Sequence, residues 1–430
     1  MPIFIEYALQ MLVGNADQIM VGWHDPNGVG AIGNANQITN LLIIVFSVVC
    51  TASMILIAQY LGAEDTSGLP RLYSVSLLTN IVFGGVVSLL LYFGAPLIFH
   101  LMGVKPEFFD SAVLYLRIVG GGMVFQSVFL TFTAFFRSNQ MMLQGMAASV
   151  TMNLLNLVGN VILINGLFGL PALGVAGAAI SSVISRIVGV AVIAAMFLRR
   201  MPGLLSLKAL RPFPAKELKK LLGIGFPTGG EALSYDLSQV AIQTICNSFA
   251  VFMVNTRVYA NMFAMLSYMF GSALAQSTQV LAANLMGAGN IEETDRRVRS
   301  SVAAACVVSG AVSTLLLLFA RPLYSLFTKD GEILALCGLI MLIDLPLELG
   351  RQVNTIVGHC LQSCGDIRFP TTICVVSAWL TAVGGGFVLG HVCGLGLVGV
   401  WLAMALDECL RAVLFIFRWK GGKWKEKHLI

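Results

Sequence analysis

Long apolar runs follow one another along almost the whole chain, separated by short stretches rich in glycine, proline or charge. A helix needs about 20 mostly apolar residues to cross the roughly 30 Å of hydrocarbon in a bilayer. Twelve segments meet that requirement, with approximate limits 2–23, 33–61, 71–98, 110–137, 141–166, 172–198, 222–248, 256–286, 299–320, 333–361, 369–390 and 395–418. The pattern therefore predicts an all-α integral membrane protein with twelve transmembrane helices.

The composition excludes an ordinary soluble protein. The chain of 430 residues is 57% hydrophobic and only 11% charged, and its mean hydropathy is +0.86, whereas a soluble surface needs about a quarter of charged residues. The nine cysteines and five histidines show no spacing typical of zinc ligands. We therefore expect no structural metal and no cofactor.

Most of the positive charge lies in loops on one side of the predicted membrane. Of the 26 Lys and Arg residues, 18 fall on one side, 4 on the other, and Arg117, Arg186, Arg351 and Arg411 fall within spans. Cytoplasmic loops of membrane proteins carry such an excess. We therefore predict a multi-pass protein of the bacterial inner membrane with both termini in the cytoplasm. The same asymmetry explains the net charge of +5, so we expect no nucleic-acid partner.

The chain contains a repeat of itself. One constant offset aligns Pro2 and Glu6 with Pro227 and Glu231, and later matches follow in order: Ala35-Asn36 with Ala260-Asn261, Gly62-Ala63 with Gly287-Ala288 and, at a slightly shorter offset, Leu173-Gly174-x-x-Gly177 with Leu395-Gly396-x-x-Gly399. Halves with six spans each enter the membrane in the same sense. The repeat predicts two six-helix bundles related by a parallel pseudo-two-fold axis, residues 1–198 and 222–430, joined by a cytoplasmic linker, 199–221. The second bundle ends in a basic cytoplasmic tail.

Polar residues inside the first half suggest a water-filled cavity, because charged groups at the bilayer centre are costly and usually functional. Gln10 and Asp17 lie seven residues apart and so share one helix face. Asn153, Asn156 and Asn160 form a second polar stripe, which either lines the cavity or holds neighbouring helices together. For Asp17 too, the alternative to lining the cavity is a hydrogen bond to a neighbouring helix.

The second half carries further candidates. Glu231 follows Pro227, Gly229 and Gly230, a weak stretch of helix where backbone carbonyls can bind a cation. We group it with Gln10, Asn36 and Asn153 as substrate or cavity residues. Asp344, Glu348 and Arg351 form a stripe in the tenth span, which we interpret either as part of the cavity or as an internal ion pair.

Several motifs resemble those of the multidrug and toxic compound extrusion (MATE) family, and together they cover nearly the whole chain. They are Asp17-Gln-Ile-Met-Val-Gly22, Ala58-Gln-Tyr-Leu-Gly-Ala63, Arg137-Ser138, Asn153-Leu-Leu-Asn156, Gly174-Val-Ala-Gly177, Gly225-Phe-Pro227-x-Gly-x-Glu231 and Gly365-Asp-Ile-Arg-Phe-Pro370. The resemblance implies an antiporter, not an enzyme, that expels organic and often cationic compounds in exchange for H⁺ or Na⁺. It makes Asp17 the leading coupling carboxylate, with Asn156 and Asn160 as partners.

Two positions depart from the family pattern. Asn160 and Arg351 stand where some members have Asp, which argues against a Na⁺ site of several carboxylates and favours protons. We expect the partners to be small organic substrates and the lipid bilayer, and the working unit to be a monomer. Two alternatives are a lipid-linked saccharide flippase, which needs a basic cavity, and an intramembrane enzyme, which needs convergent catalytic groups.

Overall fold

The computed structural model of the protein describes residues 2–6, 19–22, 26–169, 171–427 and 429. Within those residues the regular elements are all helical, as the sequence predicts. The helices are α1 (Pro26–Gly62), α2 (Leu69–Leu101), α3 (Pro106–Gly121), α4 (Met123–Ser138), α5 (Met142–Asn165), α6 (Gly174–Arg200), α7 (Ala215–Asn247), α8 (Val251–Gly287), α9 (Ile291–Leu318), α10 (Ala320–Ser325), α11 (Gly331–Ser363), α12 (Arg368–Val392) and α13 (Gly396–Lys420).

The described helices follow the predicted spans, although several begin earlier than predicted, such as α1 at Pro26 rather than residue 33 and α9 at Ile291 rather than residue 299. The predicted fourth span is broken at Gly122, where α3 and α4 meet at an angle of 44°. The seventh helix begins at Ala215 rather than at residue 222, because an amphipathic turn precedes the apolar part of α7. Among the described residues, eight helices are long and apolar enough to cross a membrane, or nine if α3 and α4 form one span.

The chain divides into two compact units, Met1–Gly225 and Phe226–Ile430. In unit 1, α2 packs against α3 and α4, α1 packs against the same two helices, and α5 pairs with α6. Its apolar core includes Phe46, Phe99, Tyr115 and Met123. Helices without water around them must satisfy their own backbone hydrogen bonds, which is why long helices dominate the unit.

Unit 2 is built around α11, which packs against α8, α9 and α13. Trp401 and Tyr324 lie in an apolar core between these helices, and both are almost fully buried. A second core of the unit contains Trp419 and Trp424, whose rings stack at 4.2 Å. The part of α12 after Ser377 is partly π-helical, at Ala378–Gly384 and Val388–Val392.

One repeated motif serves the same structural purpose in both units. Gly174 and Gly396 have φ angles of +51° and +56°, a conformation that glycine adopts without strain. Three residues later, a Cβ on Gly177 would lie 2.6 Å from the Leu163 carbonyl oxygen, and one on Gly399 would lie 2.6 Å from the Leu389 carbonyl oxygen. In each unit the glycine therefore lets one helix pack directly on the backbone of the helix before it.

Candidate functional site

Two of the predicted site residues, Gln10 and Asp17, lie outside the described residues. Asn36 lies in α1 and is half-buried, and its carbonyl oxygen accepts a hydrogen bond of 3.2 Å from the Thr39 hydroxyl. The grouping of these three residues around a cavity therefore stays a prediction from the sequence.

The asparagine stripe of α5 is buried against α6. Asn156 Nδ2 donates to Ser182 Oγ at 3.1 Å, and Ser181 Oγ donates to the Asn156 carbonyl oxygen at 2.9 Å. Asn160 is fully buried, whereas Asn153 Nδ2 has no hydrogen-bond partner among the described residues. Asn156 thus holds two helices together, and Asn153 has donor capacity to spare.

The acidic residues of α11 take different partners. Arg351 Nη1 forms an ion pair with Glu348 Oε1, one turn away on the same helix. Asp344 instead accepts a hydrogen bond of 3.2 Å from the indole of Trp401 on α13. Both carboxylates are buried, but Glu348 pairs with Arg351 within α11 whereas Asp344 bonds to a different helix.

Two further carboxylates of this region, Asp407 and Glu408 of α13, were not predicted from the sequence. Arg411 Nη2 lies 2.5 Å from Asp407 Oδ2 and 2.9 Å from Glu408 Oε1, and Arg351 Nε lies 3.4 Å from the same Glu408 oxygen. Glu408 therefore bridges the two arginines. The sequence did contain an indication of this group, because Asp407, Glu408 and Arg411 are charged residues within an otherwise apolar span.

These ion pairs, together with the electrostatic interaction between Asp344 and Arg351, define an acid–arginine cluster, which consists of Asp344, Glu348, Arg351, Asp407, Glu408 and Arg411. It contains four carboxylates and two guanidinium groups among the described residues. If all six groups are ionised, the cluster carries two uncompensated negative charges. Such an excess in a low-dielectric interior attracts a proton or another cation, because unpaired buried charges are strongly unfavourable.

Two tyrosines cover the arginines of the cluster. The Arg351 guanidinium lies 6.0 Å from the centre of the Tyr268 ring, and that of Arg411 lies 5.7 Å from the centre of the Tyr235 ring. Cation–π contacts of this kind contribute about 0.5–2 kcal/mol. They help to hold the two arginines in place.

Glu231, on α7, lies beside the cluster and interacts electrostatically with Arg411. Its Oε2 accepts hydrogen bonds from Gln362 Nε2 at 2.9 Å and from Thr371 Oγ1 at 3.0 Å. Pro227, which lies inside α7, has no N–H and so leaves a carbonyl of the preceding turn without its helical donor. Gln362 and Thr371, whose side chains donate these hydrogen bonds to the Glu231 carboxylate, are both uncharged.

The chain matches a known transporter family over most of its length. The MatE family model matches residues 2–162 and again residues 227–388. The chain is 34% identical over 426 residues to an uncharacterized transporter of Bacillus subtilis (strain 168), YisQ, covering 99% of this chain and 94% of that protein. It is 25% identical over 435 residues to a probable multidrug resistance protein NorM of Thermotoga maritima, covering 100% and 92%.

The chain belongs to the MATE family. The resemblance identified from its motifs is thereby confirmed. Because members of this family are membrane transporters, this MATE protein is a multi-pass membrane transporter of small organic compounds rather than an enzyme.

Solved structures confirm the predicted architecture of this MATE protein. A crystal structure of MATE in the bent conformation matches with a TM-score of 0.90 at 22% identity, covering 99% of this chain and 94% of that one. An outward-facing multidrug resistance MATE transporter of the MOP superfamily matches with a TM-score of 0.88 at 22% identity, covering 99% and 95%. The fold is therefore the twelve-helix, two-bundle fold of MATE transporters, and the family model matches each half once, in agreement with the internal repeat.

Within neither unit of this MATE protein do the arginines of the predicted spans form a basic site. Arg117 is exposed, and Arg186 Nη1 lies 3.5 Å from the sulfur of Met123. Arg351 and Arg411 do converge on Glu408, but four carboxylates surround them. Neither unit, taken by itself, therefore shows among its described residues the concentration of positive charge that a pyrophosphate group would need.

Proposed function

We propose that this MATE protein is a secondary active antiporter that exports organic, often cationic compounds in exchange for H⁺ or Na⁺. The observation that carries the proposal is the excess of two carboxylates over guanidinium groups in the acid–arginine cluster. A transporter interior with surplus negative charge favours cationic ligands, and protonation removes that preference. Proton and substrate then compete, which is the thermodynamic requirement for exchange.

Coupling is assigned to Asp17, with Asn156 and Asn160 as its polar partners. The support is the Asp-x-x-Met-x-Gly motif at residues 17–22 and the burial of both asparagines on α5. Proton binding to Asp17 from outside would release the substrate outward, and the proton would leave inward as the two bundles rock. Gln10, Asn36, Asn153 and Glu231 are proposed to line the substrate path.

The proposed setting is the inner membrane of a bacterium, with both termini in the cytoplasm and a monomer as the working unit. The support for this orientation is the 18-to-4 division of Lys and Arg between the two sides of the predicted membrane. Residues 1–198 and 222–430 are the two bundles that alternate, joined by the linker 199–221.

Efflux from proteoliposomes tests the proposal. Purified protein is reconstituted, and release of a cationic dye is followed under an imposed pH gradient and, separately, under a Na⁺ gradient. Wild type should respond to at least one gradient, and Asp17→Asn should abolish that response. Gradient-independent efflux in wild type, or unchanged efflux in Asp17→Asn, would contradict the proposal.

Asp65→Asn is the matched control, because it also removes one carboxylate. Asp65 lies in the exposed loop between α1 and α2, where hydrogen bonds from the Ser67 hydroxyl and the Ser67 amide lower the pKa of its carboxyl. The control should transport like wild type, so a defect confined to Asp17→Asn reports the site rather than net charge.

A further inference from the structure

The repeat places a buried glutamate at the same position of both units, and the structure shows what each one contacts. In unit 1, Glu6 is almost fully buried, with a relative exposure of 3%. Its Oε2 lies 2.8 Å from Arg137 Nη2, and its Oε1 accepts a hydrogen bond of 3.1 Å from Ser149 Oγ. The charge of Glu6 is therefore balanced by a guanidinium group.

The corresponding contacts of unit 2 come from the equivalent residues. The offset that takes Glu6 to Glu231 also takes Arg137 to Gln362 and Ser149 to Cys374. Gln362 Nε2 lies 2.9 Å from Glu231 Oε2, and the Cys374 thiol also hydrogen bonds to that carboxylate. Equivalent residues thus contact the glutamate in both units, but unit 2 has a neutral amide where unit 1 has an arginine.

The remaining charged group near Glu231 is already engaged. Arg411 of α13 approaches from beyond Cys374, with Nη1 4.0 Å from the Cys374 sulfur. Its Nη2 binds both Asp407 and Glu408, at 2.5 Å and 2.9 Å. Two carboxylates thus share this guanidinium with Glu231. Within the part of the chain that the structure describes, Glu231 therefore lacks the dedicated counter-charge that its repeat mate Glu6 has.

We propose that Glu231, Gln362 and Thr371 form a second site for one monovalent inorganic cation, H⁺ or Na⁺, in unit 2. The side chains offer oxygen atoms from a carboxylate, an amide after rotation, and a hydroxyl, and hard cations prefer oxygen ligands. Glu231 is half-buried, whereas Glu6 is almost inaccessible, which fits a site that exchanges its occupant. The inference deepens the proposed antiport and rests on it for its role, although the binding itself does not require transport.

Exchanging the arginine between the two units tests the proposal. Infrared difference spectra of the purified protein are recorded between high and low pH, and between NaCl and choline chloride at fixed pH. The component that Glu231→Gln removes from the wild-type spectrum is assigned to Glu231. Gln362→Arg should remove the same component, because the new guanidinium neutralises Glu231 as Arg137 neutralises Glu6.

The reciprocal variant provides the opposite expectation. Arg137→Gln should add a carboxyl component, since Glu6 then has only neutral donors. A component that appears only in the pH series identifies H⁺, and one that appears with NaCl at fixed pH identifies Na⁺. If Gln362→Arg does not give folded protein by gel filtration, Gln362→Lys carries the same prediction.

Three outcomes would overturn the proposal. The first is that Glu231→Gln loses no carboxyl component from the difference spectrum, and the second is that the Glu231 component survives in folded Gln362→Arg or Gln362→Lys. The third is that folded Arg137→Gln gains no carboxyl component. The spectra are recorded without a gradient and without an organic substrate. Failure here would therefore leave the efflux results intact, and loss of efflux in Asp17→Asn would not remove the Glu231 component.

Discussion

Gly350 on α11 holds the acid–arginine cluster together by letting α13 approach closely. A Cβ at this position would lie 2.9 Å from the Cys409 amide nitrogen and from the Glu408 carbonyl carbon. Both contact atoms belong to the backbone, so neither can move without the helix. Because ordinary contacts of a Cβ begin at 3.4 Å, Gly350→Ala must push the two helices apart by a few tenths of an ångström.

The consequence for stability follows from two opposing effects. Replacing a helical glycine by alanine gains about 0.5–1 kcal/mol from backbone entropy, whereas overpacking a tight contact costs about 1–3 kcal/mol. The Arg351 Nε to Glu408 Oε1 distance is already 3.4 Å, near the upper limit of a hydrogen bond, so the added separation breaks it. We expect a net loss of about 1–2 kcal/mol.

Gly338 supplies the matched control on the same helix. A Cβ there meets no described atom within 4 Å, so Gly338→Ala should keep the entropic gain without the clash. The assay is the apparent melting midpoint of detergent-purified protein at one fixed scan rate, since unfolding of large proteins is often irreversible. Gly350→Ala should melt below wild type and Gly338→Ala at or above it. Equal midpoints for the two variants would refute the close-packing argument.

Three further predictions concern other contacts. Trp424→Ala removes the stack on Trp419 (4.2 Å) and should expose the tail to faster tryptic cleavage, with a local loss approaching about 3–5 kcal/mol; an unchanged cleavage rate would contradict it. Arg418→Gln breaks the two contacts to Asp366, at 2.6 Å and 3.1 Å, and should lower the melting midpoint by an amount equivalent to about 1 kcal/mol at low salt, less at high salt. Gly399→Ala would force a Cβ to within 2.6 Å of a carbonyl oxygen and should reduce the yield of folded protein severely, so a normal yield would count against it.

The helices and the repeat were predictable because the bilayer imposes them. A chain in hydrocarbon must satisfy its backbone polar groups internally, so each span appears as a run of about 20 apolar residues. The duplication is equally visible, because Pro2 and Glu6 recur as Pro227 and Glu231. The bend at Gly122 was missed, since a single glycine in an apolar run changes the direction of a helix without changing its hydropathy.

The partners of the buried charges were not predictable to the same extent. Spacing along α11 correctly places Glu348 beside Arg351, three residues apart. The same spacing places Asp344 on that face, but Trp401 of another helix takes its hydrogen bond. Contacts between helices depend on the rotation of each helix about its axis, which apolar periodicity determines poorly in a helix that is hydrophobic all round.

The two halves of the chain have diverged most in their charged interior. The offset that aligns Gly177 with Gly399 pairs Glu408 with Arg186 and Arg411 with Gly189, so neither residue of the cluster has a counterpart of its own kind. The acid–arginine cluster therefore belongs to unit 2 alone, whereas the glycine contacts that set helix packing are common to both. A duplicated protein can keep its helix packing while its halves acquire different charges, because the fold depends on the close contacts and function depends on the residues placed on that fold. In this protein the second half carries the surplus of carboxylates among the described residues, and the packing glycines recur in both halves.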